Sequence, residues 1–180
     1  MRRIDPIREQ VERDVFTNRE KMLERLWEWA MRIPRGAAES TALLSQRRMG
    51  KTAVLERLYN RLFWEQEEVI PIFYSVRREN KTLLKFAQEY YASFVAQYLA
   101  FKLKDLTPLE ERTSPVENLL PYAEKLRDDH IIKGVQGFTD WTGKVAPDHV
   151  WKFVVEAPHR LAHFTERYVA VIIDEFQLLA

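Results

Sequence analysis

The tripeptide Gly50-Lys51-Thr52 constrains the fold of this chain more than any other feature. It stands between a short apolar run, Thr41 to Leu44, and a helical pattern that starts at Ala53. A strand, a tight loop and a helix in this order bring unpaired backbone N–H groups and the positive end of the helix dipole to one point, and both favour anions. The lysine adds an ammonium group there. The pattern therefore predicts a phosphate-binding loop.

A second apolar run, Val169 to Ile173, ends in the carboxylates Asp174 and Glu175. A strand of this kind carries Asp174 out of the apolar interior, where it can hold the water shell of Mg²⁺. The hydroxyl of Thr52 is a further oxygen ligand for that ion, and Glu175 can orient an attacking water. We expect the two stretches to meet around one magnesium-bound nucleoside triphosphate.

The loop departs at one position from the pattern G-x-x-x-x-G-K-[ST], because Ser45 stands where the first glycine belongs. Serine lacks the freedom of glycine at positive φ, so the loop must begin with a backbone angle that an ordinary L-residue accepts. Gly50 occupies the second glycine position of the pattern, which makes the stricter demand on the backbone. The alternatives to a nucleotide site are an ordinary helix start at Gly50-Lys51-Thr52 and a solvated strand end at Asp174-Glu175.

Composition limits the classes of protein that the chain can belong to. Its 180 residues suffice for one domain with a sizeable core, and its net charge of +1 gives no general basic surface for nucleic acid. The absence of cysteine excludes a disulfide framework and thiolate metal sites. No apolar segment follows Met1 as in a signal peptide, and none is long enough to span a bilayer. The sequence predicts a soluble, cytoplasmic protein.

Periodicity predicts the elements around the loop. Thr17 and Glu20 stand at capping-box spacing and begin a helix with an apolar stripe. Ser40 to Leu44 is predicted as a short buried strand, and an amphipathic helix follows the loop. Val69 to Val76 is predicted as the second strand, and Pro71 near its start favours the edge of a sheet.

The stretch between the second strand and the acidic strand is longer than a crossover needs. It begins with a strongly apolar helix from Leu83 to Leu99, whose broad apolar surface predicts burial on several sides. A helix opened by Ser114-Pro115 is expected to stop near Gly134, and Gly134 to Gly143 is predicted as an exposed loop. A final helix should run from Pro147 or Asp148 to Thr165. We place a helical insertion at about residues 102–145.

These motifs resemble the N-terminal part of an AAA-related P-loop ATPase of the archaeal and prokaryotic type, close to the STAND signalling ATPases. The resemblance is carried by Phe16-x-Asn18-Arg19-Glu20, by Arg47-Arg48-Met49-Gly50-Lys51-Thr52 and by Ile172-Ile173-Asp174-Glu175-Phe176-Gln177, in the order of that family. It implies an α/β fold with three αβα layers and a parallel sheet, incomplete at the C-terminus. It also implies a large helical insertion between the second strand and the Walker B strand.

The resemblance further implies roles for particular residues. Lys51 would bridge β- and γ-phosphate oxygens, Glu175 would be the general base, and Thr52 with Asp174 would hold Mg²⁺. Gln177 would sense the γ-phosphate. No glycine follows Asp174 at the position that it has in the D-x-x-G motif of GTPases, and this favours ATP over GTP. The residues expected to contact the nucleotide are Arg19 (near the adenine), Ser45, Gln46, Arg47, Arg48, Met49, Gly50, Lys51, Thr52 and Ala53.

The strand order 5-1-4-3-2 implied by the resemblance makes the second strand a neighbour of the acidic strand. The strand at Thr41 to Leu44, in contrast, would have no neighbour within this chain, and unpaired N–H and C=O groups on both edges of a buried strand are costly. We therefore expect residues 1–180 to be the N-terminal part of one ATPase domain of a longer protein, with sensor residues and an arginine finger beyond Ala180. Slow hydrogen exchange throughout Thr41 to Leu44 in the isolated chain would contradict this expectation.

Three functions are compatible with the sequence. The first is an ATPase module that binds ATP or ADP and Mg²⁺ and drives a conformational change in a larger protein, with a protein partner or self-association through regions beyond Ala180. The second is a STAND-type switch that holds nucleotide and hydrolyses it rarely. The third is a helical interaction scaffold with a vestigial loop. A role on DNA stays open through a region beyond Ala180, and no membrane partner is expected.

Overall fold

The computed structural model describes residues 4–9, 19–44, 49–76, 82–165 and 167–179. Within these ranges the chain is rich in helix and contains one parallel sheet of two strands. The elements are α1 (Glu20–Ala30), α2 (Lys51–Glu65), β1 (Val69–Ser75), α3 (Leu83–Leu103), α4 (Leu120–Leu126), α5 (Asp129–Trp141), α6 (Pro147–Val155), α7 (Ala157–Thr165) and β2 (Tyr168–Asp174). Short 3₁₀ helices lie at Ile33–Arg35, Thr107–Glu111, Val116–Leu119 and Phe176–Leu179.

The sheet pairs the second predicted strand with the acidic strand. β1 and β2 are parallel, with Val69 opposite Tyr168 and Ser75 opposite Asp174. Both strands are rich in β-branched and aromatic residues, which suit a pleated, half-buried surface. A parallel pair needs a long crossover, and α3 to α7 lie in it. The parallel register brings the carboxyl ends of both strands to the same edge of the sheet.

The predicted buried strand from Ser40 to Leu44 is wrong in the described structure. The segment belongs to no sheet, and the side chain of Leu44 is 90% exposed. Of the apolar side chains in this segment, only that of Leu43 packs against the core, and it is partly buried. A strand depends on ladder hydrogen bonds and on a covered apolar face. This short run has no strand beside it within the described ranges, so it stays irregular.

Side chains close the edge of β1 that faces away from β2. The Gln97 amide of α3 accepts a hydrogen bond from the N–H of Phe73 at 2.8 Å and donates to the C=O of Phe73 at 2.9 Å. Gln66 accepts from the N–H of Val69 at 2.7 Å and donates to the C=O of Val69 at 2.7 Å. Pro71, between these positions, has no N–H to satisfy. The described sheet therefore ends at β1, as Pro71 predicts.

We expect Gln97→Leu to lower the free energy of unfolding by about 1–3 kcal/mol, because it leaves the N–H and C=O of Phe73 without partners. Gln97 is buried, whereas Gln88 is exposed on the same helix. Gln88→Leu is therefore the control, with an expected change below about 0.5 kcal/mol. Denaturant unfolding measures both. Equal free energies of unfolding for Gln97→Leu and the wild type would contradict the closing role of this side chain.

The core is built around α3, which confirms the burial predicted from its apolar pattern. Phe94, Tyr98 and Leu99 are buried, and α3 contacts β1, α6 and the 3₁₀ helix Thr107–Glu111. The hydroxyl of Thr82 caps its first turn by accepting the N–H of Lys85 at 3.2 Å. Although α3 has 21 residues, none of the described helices combines the length and apolar character that crossing a membrane requires. β1 contacts both α2 and α3, which ties the sheet to both helices.

The exposed loop predicted from Gly134 to Gly143 is wrong for most of its length, because α5 continues to Trp141. Asp128 caps α5 by accepting the N–H of Ile131 at 3.0 Å. Gly134 lies against α3, and a Cβ there would be 2.8 Å from the Tyr91 hydroxyl. Glycine inside a helix costs about 1 kcal/mol relative to alanine. Burial of three side chains offsets that cost: Ile131, Val135 and Phe138.

Two other predicted helices are divided in the structure. The helix expected from Ser114-Pro115 to near Gly134 instead ends at Leu126, after the 3₁₀ helix Val116–Leu119 and α4, and its last predicted turn belongs to α5. The final helix is broken at Glu156 into α6 and α7. Pro158 lies in the first turn of α7, where the missing N–H has no helical partner to lose. In an unbroken helix the same proline would remove a hydrogen bond and clash with the preceding turn.

Candidate functional site

The predicted phosphate loop leads into the N-terminus of α2. Gly50 is the residue before the helix, and its φ of 73° lies in the left-handed region, which glycine adopts without steric cost. Its C=O accepts the N–H of Val54 at 3.2 Å. No described side chain caps the first turn, so its N–H groups are left to water or to a bound ligand. Four predicted loop contacts lie outside the described residues: Ser45, Gln46, Arg47 and Arg48.

α2 and β2 bring the two predicted motifs together. The hydroxyl of Thr52 donates a hydrogen bond to Oδ2 of Asp174 at 2.7 Å. Nζ of Lys51 lies 3.8 Å from Oδ1 of Asp174. Thr52 and Asp174 are 122 positions apart in the sequence, so the fold and not local geometry makes this contact. A hydroxyl, an ammonium group and a carboxylate thus meet where α2 begins and β2 ends.

The carboxylate of Asp174 is buried with only part of its bonding capacity used. The residue is 2% exposed, and Oδ1 accepts no hydrogen bond from any residue that the structure describes. A buried carboxylate oxygen without a hydrogen bond is unfavourable, and an ammonium group at 3.8 Å offsets this in part. Such an oxygen fits a bound cation or a water of its shell.

The ligand set available for that cation is small. Within the described ranges there is no group of three or more His, Cys, Asp or Glu residues that could hold a metal ion. A cation beside Asp174 must therefore complete its coordination with the hydroxyl of Thr52, water and oxygens of a bound ligand. This is how Mg²⁺ is held with phosphates, since it keeps several waters and uses one or two carboxylates.

Glu175 follows Asp174 with an unusual backbone. Its φ is 55°, in the left-handed region that residues other than glycine rarely occupy. Its Oε2 accepts a hydrogen bond from Nε2 of Gln177 at 2.5 Å, and its C=O accepts the N–H of Leu178 at 2.9 Å. Strained backbone of this kind clusters at binding and catalytic sites. The predicted base and the predicted sensor are therefore in contact with each other.

Arg19 contacts the loop through its side chain. Its Nη2 donates a hydrogen bond to the C=O of Met49 at 2.7 Å, directly before Gly50. Arg19 precedes α1, and α1 packs against α2, so the two helices hold this arginine beside the loop. This contact places Arg19 beside the loop, and its predicted position near the adenine stays a prediction.

The carboxyl end of β1 also belongs to the candidate site, although it is not among the predicted site residues. The N–H of Val76 donates to the C=O of Asp174 at 3.1 Å, and Ser75 lies opposite Asp174 in the sheet. These contacts fix the end of β2. The alignment of carboxyl ends in parallel neighbours, where α/β proteins place their ligands, was the signal that could have identified both residues.

No model of a known protein family matches this chain, and no curated protein or solved structure matches it either. The family resemblance of the motifs therefore stays a prediction. The geometry around Asp174 is what carries a functional argument.

Proposed function

We propose that this chain binds Mg²⁺ and ATP where α2 begins and β2 ends, and hydrolyses the ATP as a P-loop ATPase module that drives a conformational change in a larger protein. The observation that carries the proposal is the convergence of Lys51 and Thr52 on Asp174, whose Oδ1 has no hydrogen-bond partner among the described residues. An ordinary helix start and a solvated strand end would need none of these contacts. A cytoplasmic location fits this function and the absence of cysteine.

Each residue of the site has a separate task in this proposal. The first-turn amides of α2 and the ammonium group of Lys51 bind phosphate oxygens. Thr52 and Asp174 hold Mg²⁺, which when bound neutralises charge on the phosphate oxygens. Because these two side chains already contact each other, little rearrangement brings their oxygens to one ion. Glu175 accepts a proton from the water that attacks the terminal phosphoryl group.

The contact between Gln177 and Glu175 favours a second candidate function. A general base that is hydrogen-bonded to a neighbouring amide must exchange that bond for one to water before it can act. This supports a nucleotide-held switch, in which ATP binds tightly and hydrolysis waits for a rearrangement of Gln177. Both functions require the same phosphate and Mg²⁺ ligands, so binding is tested first.

Calorimetric titration with Mg–ATP tests the binding. We expect the wild type to bind with a micromolar or lower Kd. Lys51→Ala should weaken binding by about 10- to 100-fold, since a hydrogen bond to a charged group contributes about 1.5–3 kcal/mol. The control is Lys125→Ala, because Lys125 is an exposed lysine that lies 3.7 Å from Asp105 in the helical insertion. Absence of any binding by the wild type would leave the interaction scaffold as the better description.

A further inference from the structure

The first described segment of the chain, residues 4–9, lies against α2 as a separate piece. It contains no helix or strand, so no ladder of backbone hydrogen bonds ties it to the rest of the fold. Pro6 is buried and Ile7 packs in part against the core, whereas Ile4 is 75% exposed. The segment therefore depends on contacts with side chains for its position, and its departure would break no described sheet or helix.

Asn60 of α2 binds the backbone of this segment. The N–H of Ile7 donates to Oδ1 of Asn60 at 3.0 Å, and Nδ2 of Asn60 donates to the C=O of Ile7 at 2.8 Å. Nδ2 also donates to Oε1 of Glu9 at 3.3 Å. Asn60 is 2% exposed, and all of its side-chain hydrogen bonds to described residues go to this segment. Because buried amides in proteins are nearly always hydrogen-bonded, this position on α2 requires an extended chain beside it.

A charge pair adds selectivity to the backbone contact. Nε and Nη2 of Arg57 donate to Oε2 of Glu9 at 3.0 and 2.6 Å. The two side chains are 13% and 8% exposed, so water and salt screen this pair less than a pair on the surface. An extended chain with an apolar residue, followed two positions later by a carboxylate, matches both contacts. Ile7 and Glu9 have this spacing in every copy of the chain.

We propose that α2 binds the N-terminal segment of a second copy through Asn60 and Arg57, so that two copies exchange residues 4–9 and form a twofold dimer. Exchange of an identical segment is a low-cost route to a dimer, since each contact that is lost within one copy is regained in the other. The charges match across the exchange, because Glu9 of each copy then meets Arg57 of the other. The exchange uses none of the residues that hold ATP and Mg²⁺ in the proposed function, so it stands or falls on its own.

Two charge-reversal variants test the exchange by analytical ultracentrifugation. Glu9→Lys and Arg57→Glu each set like charges against each other, both within one copy and between two copies of the same variant, so each variant alone should stay monomeric. In an equal mixture of the two variants, each exchanged segment meets the opposite charge. We expect this mixture to sediment with the mass of two chains, and we expect the wild type to dimerise as its concentration rises.

The chain that carries both substitutions restores the charge pair with reversed sign, so it should dimerise as the wild type does, which separates loss of exchange from loss of folding. Glu65→Lys is the matched control, since Glu65 is 54% exposed on α2 and the change in charge is the same. Mixed with Arg57→Glu, it leaves one exchanged pair with like charges and should give no stable dimer.

Three results would overturn the proposal. The first is a mixture of Glu9→Lys and Arg57→Glu that stays monomeric, since both exchanged pairs are then matched. The second is a wild type that stays monomeric up to millimolar concentration. The third is a dimer of either single variant alone, because the interface would then lie elsewhere.

Discussion

Glu175→Gln is expected to lower the rate of ATP hydrolysis by about 100- to 10,000-fold, which is the range for loss of a positioned general base. The affinity for Mg–ATP should stay close to the wild-type value. Glutamine keeps the shape of the side chain but cannot take up a proton at neutral pH. In the structure the Glu175 carboxylate contacts Gln177, whereas Lys51 and Thr52 contact Asp174, so the change leaves the proposed binding residues in place.

Single-turnover hydrolysis and calorimetry on the same samples separate the ATPase from the switch. Glu124→Gln is the control, since Glu124 is exposed on α4, away from the site, and both readouts should match the wild type. An ATPase shows measurable turnover that Glu175→Gln abolishes. A wild type that binds Mg–ATP tightly but hydrolyses it as slowly as the variant would favour the switch. Loss of binding in Glu175→Gln would contradict the assignment of Glu175 as a base.

Elements with a strong pattern over many residues were predictable. The broad apolar surface of α3, which is visible in the sequence, agrees with its place in the core. Ser40–Leu44 was mispredicted because strand formation depends on a neighbouring strand, which a short apolar run cannot reveal. The helix through Gly134 is hard to predict, because glycine indicates a helix end whereas the stripe of Ile131, Val135 and Phe138, which is buried in α5, favours its continuation.

The meeting of Lys51, Thr52 and Asp174 was predictable, because in the predicted α/β fold a helix start and the end of a neighbouring parallel strand lie on the same side of the sheet. The contacts of Arg19 with Met49 and of Gln177 with Glu175 were not predictable. They depend on side-chain conformations and on a left-handed φ at Glu175, which no residue pattern encodes. The predicted contacts at Ser45 to Arg48 lie outside the described residues and stay predictions.

Asp174→Asn is expected to raise the free energy of unfolding and to abolish the effect of Mg²⁺ on ATP binding. The substitution removes a buried negative charge that has one hydrogen bond, from Thr52, and an ammonium group at 3.8 Å. Asparagine can still accept the hydrogen bond of Thr52, and Lys51 is partly exposed and can be hydrated. We therefore expect the free energy of unfolding without nucleotide to rise by about 1 kcal/mol, since burial of a charge at a binding site costs stability.

The same substitution removes a proposed ligand of Mg²⁺, so hydrolysis should fall by about 100-fold or more and Mg²⁺ should no longer strengthen ATP binding. Denaturant unfolding and ATP titrations with and without Mg²⁺ measure the two effects. Asp140→Asn, at an exposed position of α5, is the control and should change neither. If Asp174 serves folding instead of ion binding, the Asp174→Asn variant should be less stable than the wild type and should keep its response to Mg²⁺. The sign of the stability change thus distinguishes a carboxylate retained for ion binding from one retained for folding.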